Sequence, residues 1–460
     1  MTHGAVPGAI LRKVYNAAHP SASLNLDRPN PIERPPHRAR TFFSIVVAGI
    51  AVTLLLDATS VAAQSRVGDA IELGAQGIGV VTRESPAIRG RDLTEAYFTQ
   101  PAIMLTVAPW GEALALKTTI NFEGATIKRG ELNAGIAGEG YIDRRHPHTY
   151  LHELVLTSTR RFGGTSANGV SLTVGKGFAP FGTDDPMARP FEKYPINHHL
   201  AQILERAVAI GALRSGNWTF EAGMFNGDEP TGPGDTPNRK RYWDSWSGRA
   251  TFMPWPQGEF QASYARVKSP ENPTGGGADQ RKRSASVRLE DAQHSGYALV
   301  EWARTDDYAG STPTFAFTSW LAETWARYDR INGALRFERT DRPDEARETD
   351  EFRTPVPATD LSIAGRSRWT IVTARLAADA FTAKAFSMEP FAEVARARFS
   401  PTLQPSGFDP RQFYGADRIW SVSLGARLSF GMSHMRMGRY GVAVSQTPRM
   451  QMSGMHMPGM

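Results

Sequence analysis

Eleven consecutive residues near the end of the chain keep a strict two-residue period: Trp420, Val422, Leu424, Ala426, Leu428 and Phe430 alternate with Ser421, Ser423, Gly425, Arg427 and Ser429. Successive side chains of a strand point to opposite faces, so this segment has one apolar face and one polar face. The pattern recurs. Leu116, Thr118, Ile120 and Phe122 oppose Lys117, Thr119, Asn121 and Glu123; Val170, Leu172 and Val174 oppose Ser171 and Thr173. Ala285, Val287 and Leu289 oppose Ser284, Ser286, Arg288 and Glu290, and Trp218, Phe220, Ala222 and Met224 line one face of a further segment. Strands of this kind either cover the apolar core of a soluble sandwich or turn the apolar face to lipid.

The N-terminal region favours lipid. Residues 41–56 form an apolar run of 16 residues behind Arg38 and Arg40, followed by small residues ending Val61-Ala62-Ala63. A basic stretch, an apolar stretch and an A-x-A-like site are the layout of a secretion signal cleaved near Ala63; a spanning helix needs about 20 residues. About 40 residues precede the apolar run, more than a signal needs, which fits an upstream start or a leader lost with the signal. No apolar run after Ala63 reaches spanning length, so a mature membrane protein here crosses with strands.

Short turns at 110–111, 162–168, 215–216, 257–258, 293–296, 330–333 and 379–380 alternate with longer polar connections such as 226–241, 268–280, 305–313 and 341–365. Transmembrane barrels show this asymmetry, with short turns on one side of the membrane and long loops on the other. Seven short turns join fourteen strands, and an opening strand near 71–82 plus the closing strand bring the number to about sixteen, within 14–18. The expected fold is all-β: a transmembrane antiparallel β-barrel over 64–431, behind a leader and signal at 1–63 and ahead of a disordered Met/His-rich tail at 432–460.

The closing strand ends on the aromatic Phe430, and with the turn asymmetry this makes the chain after Ala63 resemble the Gram-negative porins and porin-like outer-membrane proteins. The chain departs from that pattern by running thirty residues further. The resemblance implies an outer-membrane location, contact with outer-membrane lipid, diffusion of small hydrophilic solutes, a homotrimer, and a third long loop (179–205) folded inward as a constriction. That loop would bring Asp184, Asp185, Glu192 and Lys193, with His198 and His199, into the pore. No cofactor is required for such a channel.

Cysteine is absent, so thiolate metal sites and cysteine nucleophiles are excluded. The net charge is +6, of which 6 − 3 = +3 belongs to residues 1–63, leaving +3 for the remainder and no nucleic-acid footprint. Enzyme motifs fail. The stretch from Gly169 to Gly177 has the wrong spacing for a P-loop, and His152-Glu153 lacks a second histidine four residues on.

If the alternation holds, Lys117, Arg288, Arg375, Arg396, Arg398 and Arg427 line the pore against Glu123 and Glu290. Arg and Lys rings favour anions; pairing across the wall would cancel that preference. Glu393 sits awkwardly in this scheme, sharing a face with Ala395 and Ala397. Five of the eight histidines after Ala63 cluster at His146, His148, His152, His198 and His199. They offer either a transition-metal contact or a hydrogen-bonded network that fixes two loops.

The tail is the other metal candidate. Met432, Met435, Met437, Met450, Met452, Met455, Met457 and Met460 are eight of the fourteen methionines, with His434 and His456 among them. Thioethers at such spacing select Cu(I), and the tail resembles the Met/His-rich segments of bacterial copper-resistance proteins. The expectation is a copper-binding tail outside the barrel; the rival is an oxidation-prone tail with no metal role.

Overall fold

The computed structural model describes residues 70–88, 91–126, 148–164, 167–230, 232–293, 295–345, 363–383, 385–402, 409–431 and 437–443. The signal at 1–63, His146, and all tail candidates except Met437 lie outside them.

The described strands are β1 (Ile71–Ile88), β2 (Arg91–Val107), β3 (Ala115–Asn121), β4 (Leu151–Arg161), β5 (Asn168–Gly177), β6 (Arg206–Ser215), β7 (Trp218–Phe225), β8 (Ser245–Trp255), β9 (Gly258–Val267) and β10 (Asp279–Glu290). They continue as β11 (Gly296–Ala309), β12 (Thr312–Tyr328), β13 (Ile331–Glu345), β14 (Ile363–Ala378), β15 (Phe381–Ala383), β16 (Phe386–Pro401) and β17 (Arg418–Gly431). Apart from β14 and β15, which both pair with β16, each pairs antiparallel with its sequence neighbours, and β17 returns to β1 with Gly74 opposite Gly431 and Ser85 opposite Trp420. The sheet is therefore closed. The short β15 prolongs β14 along β16, so the 17 strands make a barrel of 16 staves. Closure leaves no edge, which is what a sheet in hydrocarbon needs to satisfy every backbone N–H and C=O.

The alternation sets the two surfaces. Leu172, Leu335, Leu376 and Leu424 are exposed on the outer face, while Ser421, Ser423 and Arg427 of β17 are buried inside. Aromatic side chains gather at two heights outside. Trp218, Phe252, Trp255, Tyr328 and Phe381 lie near the short turns, and Trp246, Tyr264, Trp302, Trp320 and Trp420 lie further up. Such girdles mark the boundaries of an apolar band roughly 25 Å tall in membrane barrels.

Several expected features shift. The 305–313 connection is a tight turn at Gly310, because β11 and β12 pair as far as Ala309 and Thr312. The supposed turn at 379–380 is only a break between β14 and β15, and the chain reverses after Ala383. Arg396 and Arg398 face outward: β16 keeps Glu393, Ala395, Ala397 and Phe399 inside, where Ala395, Ala397 and Phe399 pack with Trp369, Ile371, Tyr414 and Ile419. Glu123 ends the strand rather than lining it, at the start of a short helical turn, Glu123–Thr126. The tail is not wholly outside, since residues 437–443 lie within the barrel and bury Met437, Arg439, Tyr440, Val442 and Ala443.

The outer face of β17 makes different demands at different heights. Leu424→Arg would place a cation in the apolar band and is expected to cost about 2–4 kcal/mol, whereas Leu428→Arg, nearer the strand end, should cost about 0–1 kcal/mol. Unfolding in lipid vesicles, followed by tryptophan fluorescence and heat-modified migration, measures the difference. Equal tolerance of both changes would contradict the placement of Leu424 inside the apolar band and Leu428 at its margin.

Candidate functional site in the barrel lumen

The connection between β5 and β6, residues 178–205, turns inward. Its composition precludes another strand: Pro180, Pro186, Pro190 and Pro195 lack the N–H a ladder needs. Gly182 has φ +71°, and a Cβ there would meet the carbonyl oxygen of Ala201 at 1.7 Å, so no side chain fits. Asp185 accepts a bond from Met187 N at 2.9 Å and fixes the turn at Pro186–Ala188. Phe178, Phe181, Phe191 and Tyr194 supply apolar bulk and are buried.

Wall side chains bind this loop along its length. Arg427 donates to the carbonyls of Arg189, Pro190 and Phe191 at 3.0, 3.1 and 3.3 Å. Arg336 donates to Lys193 O at 2.9 Å and pairs with Glu323 at 2.7 Å. Glu393 accepts from Glu192 N at 3.0 Å, and Glu338 accepts from Ile196 N at 2.7 Å. Glu301 accepts from Thr183 Oγ1 at 2.5 Å and from Asn197 Nδ2 at 2.9 Å. Arg288 reaches Asp184 at 3.3 Å, and Arg189 lies 3.6 Å from Glu301.

At the foot of the loop a bulge in β4 makes a second anchor. Thr119 faces Glu153 and Ile120 faces Leu151, which leaves His152 as the extra residue. Two adjacent side chains, His152 and Glu153, thereby both point inward, and both are 0% exposed. His152 binds Glu205 through Nδ1 and Asp185 through Nε2, the latter at 3.1 Å. One imidazole therefore ties both ends of the loop to the wall. Glu153 pairs with Lys117 at 3.1 Å.

His148 lies beside this anchor, its ring 5.0 Å from that of His152, with Nδ1 3.0 Å from Glu123. Burial alone would raise Glu123, but the His148 proton, Gln100 N and Thr99 Oγ1 hold it near 2. Burial opposes a charge on His148, and Glu123 outweighs it and keeps the imidazole above its ordinary value. Asp185 and Glu205 are likewise held low against burial, chiefly by His152. Glu192 behaves otherwise: burial lifts it to about 7, Lys193 opposes the lift and Glu393 adds to it.

The segment 437–443 fills the β4–β9 side of the lumen beneath the loop. Arg249 donates to Gly438 O at 3.0 Å and to Gly182 O at 3.1 Å, joining segment to loop. Arg439 pairs with Glu259 at 2.5 Å, Tyr440 Oη accepts from Phe178 N at 3.0 Å, and Val442 N donates to Ser171 Oγ at 3.2 Å.

Asp184, Asp185, Glu192, Lys193 and His198 lie in the interior, and so do Lys117, Arg288, Arg375 and Arg427. Arg375 pairs with Glu389 at 2.6 Å, and Arg288 pairs with Glu290 at 2.6 Å. These cations are matched rather than arrayed freely. His198 bonds Pro195 O at 3.2 Å in a separate turn, where the backbone of His199 also lies. Among the described residues no three His, Asp or Glu side chains are placed to hold a metal ion; the nitrogens of His152 are taken by carboxylates. Sequence reasoning missed Glu301, Glu323, Glu338, Arg249 and Arg336, although the alternation of Leu335 and Phe337 with Arg336 and Glu338 marks the last strand of that group. It also missed Arg439 and Tyr440, whose charge and ring stand out from the methionines around them.

No family model matches the sequence, and no curated protein does. Solved structures of similar shape include an anion-selective porin from Comamonas acidovorans, 9% identical, covering 78% of this chain and 99% of that one with a TM-score of 0.48. Another is OmpT of Vibrio cholerae in a trimer form, 10% identical over 79% of this chain and 100% of that one, with a TM-score of 0.44. A third is OccK2 of Pseudomonas aeruginosa in complex with glucuronate, 10% identical, covering 79% and 97%, with a TM-score of 0.36. At such identity no residue's role carries across.

The Glu123–His148 pair has a defined pH window. Glu123 is lowered from 4.5, so the stability it contributes is present above about 4.5 and is lost as pH falls toward 2. His148 is raised above 6.5, so its contribution is present below 6.5 and is lost as pH rises through the raised value. In Glu123→Gln, the His148 titration followed by NMR should fall to 6.5 or below, because burial then acts with less opposition. An unmoved midpoint would show that Glu123 does not hold the proton.

Proposed function

We propose that the protein is an outer-membrane channel for diffusion of small hydrophilic solutes, with residues 178–205 as its constriction and residues 437–443 as a second obstruction nearer the short turns. The observation that carries this reading is the pairing of an apolar, girdled exterior with a lumen wall of charged and hydroxyl side chains, narrowed by a loop that the wall itself binds. A soluble sandwich has no use for an outward apolar face all around a closed sheet. Export through the N-terminal signal and a homotrimer complete the proposal, and the trimer form recorded for Vibrio cholerae OmpT is consistent with it.

The proposed selectivity is a modest preference for anions. Arg249, Arg288, Arg336, Arg375 and Arg427 would carry that preference against Glu221, Glu290, Glu301, Glu323, Glu338, Glu389 and Glu393, which face the same lumen. Copper handling is the second reading, favoured by the methionine clustering in 432–460. Met437 is spent on packing against Phe178 and its neighbours, so Cu(I) would fall to the other thioethers with His434 and His456.

Planar-bilayer recording of refolded protein tests the first reading. The full chain should pass small steady current steps, a chain ending at Gly431 should pass larger ones, and a salt gradient should give a reversal potential on the anion side. Absence of current from both chains would reject the channel. Titration of the same two proteins with Cu(I) under reducing conditions tests the second reading: uptake by the full chain alone supports a copper-binding tail, and equal uptake, or none, rejects it.

A further inference from the structure

Residues 437–443 read Met-Gly-Arg-Tyr-Gly-Val-Ala and follow a barrel that is already closed, since β17 meets β1 as far as Gly431. The segment adds no strand to the sheet. Among the described residues, its one backbone-to-backbone bond to the rest of the chain runs from Asp185 N to Met437 O at 3.4 Å. What holds it is the fit of its side chains: Met437, Arg439, Tyr440, Val442 and Ala443 are each no more than 4% exposed. A segment held in this way can leave the wall without breaking a ladder.

The fit is specific to the order of residues. Arg439 enters the wall at β8 and β9, where Nη2 pairs with Glu259 at 2.5 Å and Nη1 donates to Thr251 Oγ1 at 3.2 Å. A guanidinium this deep needs an opposite charge, and Glu259 supplies it. Beside it, Arg249 is held by Glu221 at 2.6 Å and donates to Gly438 O at 3.0 Å. Tyr440 lies against the end of β5: its hydroxyl accepts from Phe178 N at 3.0 Å, and a Cβ at Gly177 would collide with that same oxygen. The complement holds at Gly441, where a Cβ would collide with Ser171, whose Oγ receives Val442 N at 3.2 Å. A wall glycine thus makes room for a ring of the segment, and a segment glycine makes room for a side chain of the wall. A larger residue at either place clashes, so the wall rejects other sequences as well as accepting this one. The wall also offers more than the segment uses: Gln261 Nε2, opposite Thr251 in the ladder, is buried with no hydrogen-bond partner among the described residues.

We propose that the lumen wall between β4 and β9 is a peptide-binding site, that residues 437–443 occupy it as a tethered ligand, and that free peptides carrying arginine and tyrosine in succession between glycines compete for it. The inference deepens the reading of this segment as an obstruction: the obstruction is an exchangeable occupant, and a peptide that fits displaces it. Five residues separate Gly431 from Met437, and so short a tether presents the segment at about millimolar effective concentration. A free peptide making the same contacts therefore half-displaces it at about millimolar concentration, and at a lower concentration once the tethered copy is weakened.

The test uses the folded full chain in detergent and the synthetic peptide Met-Gly-Arg-Tyr-Gly-Val-Ala, blocked at both ends. On the unaltered chain, the peptide at roughly 10 mM, well above that effective concentration, should speed hydrogen exchange over 437–443 at least tenfold. A scrambled peptide of the same composition, and the peptide with citrulline in place of arginine, should leave exchange unchanged. Full-length Arg439→Ala should bind the free peptide at least tenfold more tightly than the parent, because its own copy competes less, and adding Glu259→Gln should remove that gain. Exchange over 437–443 that the peptide leaves unmoved, an equal response to the scrambled peptide, or equal peptide affinity of parent and Arg439→Ala would overturn the proposal. Neither readout passes current, so the two readings stay apart: a chain that exchanges its segment for peptide and does not conduct contradicts the channel alone, whereas a chain that conducts and never exchanges it contradicts this site alone.

Discussion

Buried charge inside a closed sheet is the constraint on which this structure turns. Closing sixteen staves satisfies the backbone but encloses side chains such as Glu301, Glu323, Arg336 and Arg427, all nearly inaccessible to solvent. An ion taken from water without a partner is costly by several kcal/mol, so each must meet an opposite charge or a peptide dipole inside the barrel. The loop at 178–205 supplies those partners. Its carbonyls at 189, 190, 191 and 193 take guanidinium protons, and its amides at 192 and 196 donate to carboxylates. Loop and wall are thus mutually required: neither satisfies its polar groups alone.

The rest of the interior follows from that matching. The bulge at His152 turns one residue inward beyond the normal alternation and so ties Asp185 and Glu205, the two ends of the loop, to a single imidazole. Arg249 extends the network downward, bridging the loop at Gly182 to the post-barrel segment at Gly438. Under the proposed channel reading, passage depends on how these internal segments give way, more than on the count of arginines around the wall.

The barrel was largely legible in the sequence because its signal is local: parity along Trp420–Phe430 and Leu116–Phe122 is written in neighbouring residues and holds in the structure. Parity failed in β16, where Arg396 and Arg398 suggested an inner face by charge. The structure gives that face to Glu393, Ala395 and Ala397, and charge is an unreliable guide where a strand rises past the apolar band into the headgroup region. Turn positions failed at 305–313 and 379–380 because polar composition does not distinguish an extended strand end from a loop. The inward loop was anticipated from the porin resemblance. How the wall anchors it, from Gln100 to Arg427, was not, since pairing across 92 to 238 residues has no local signature. Burial of Met437 through Ala443 was hidden in the same way, by a composition that reads as tail.

Hydrogen exchange on the folded protein in lipid vesicles, read by mass spectrometry over peptides from 178–205, addresses the mutual dependence of loop and wall most directly. If wall charges hold the loop as described, its amides, those of Glu192 and Ile196 above all, exchange as slowly as those of the adjoining strands β5 and β6. Exchange within seconds, at the rate of an open surface loop, would contradict the account.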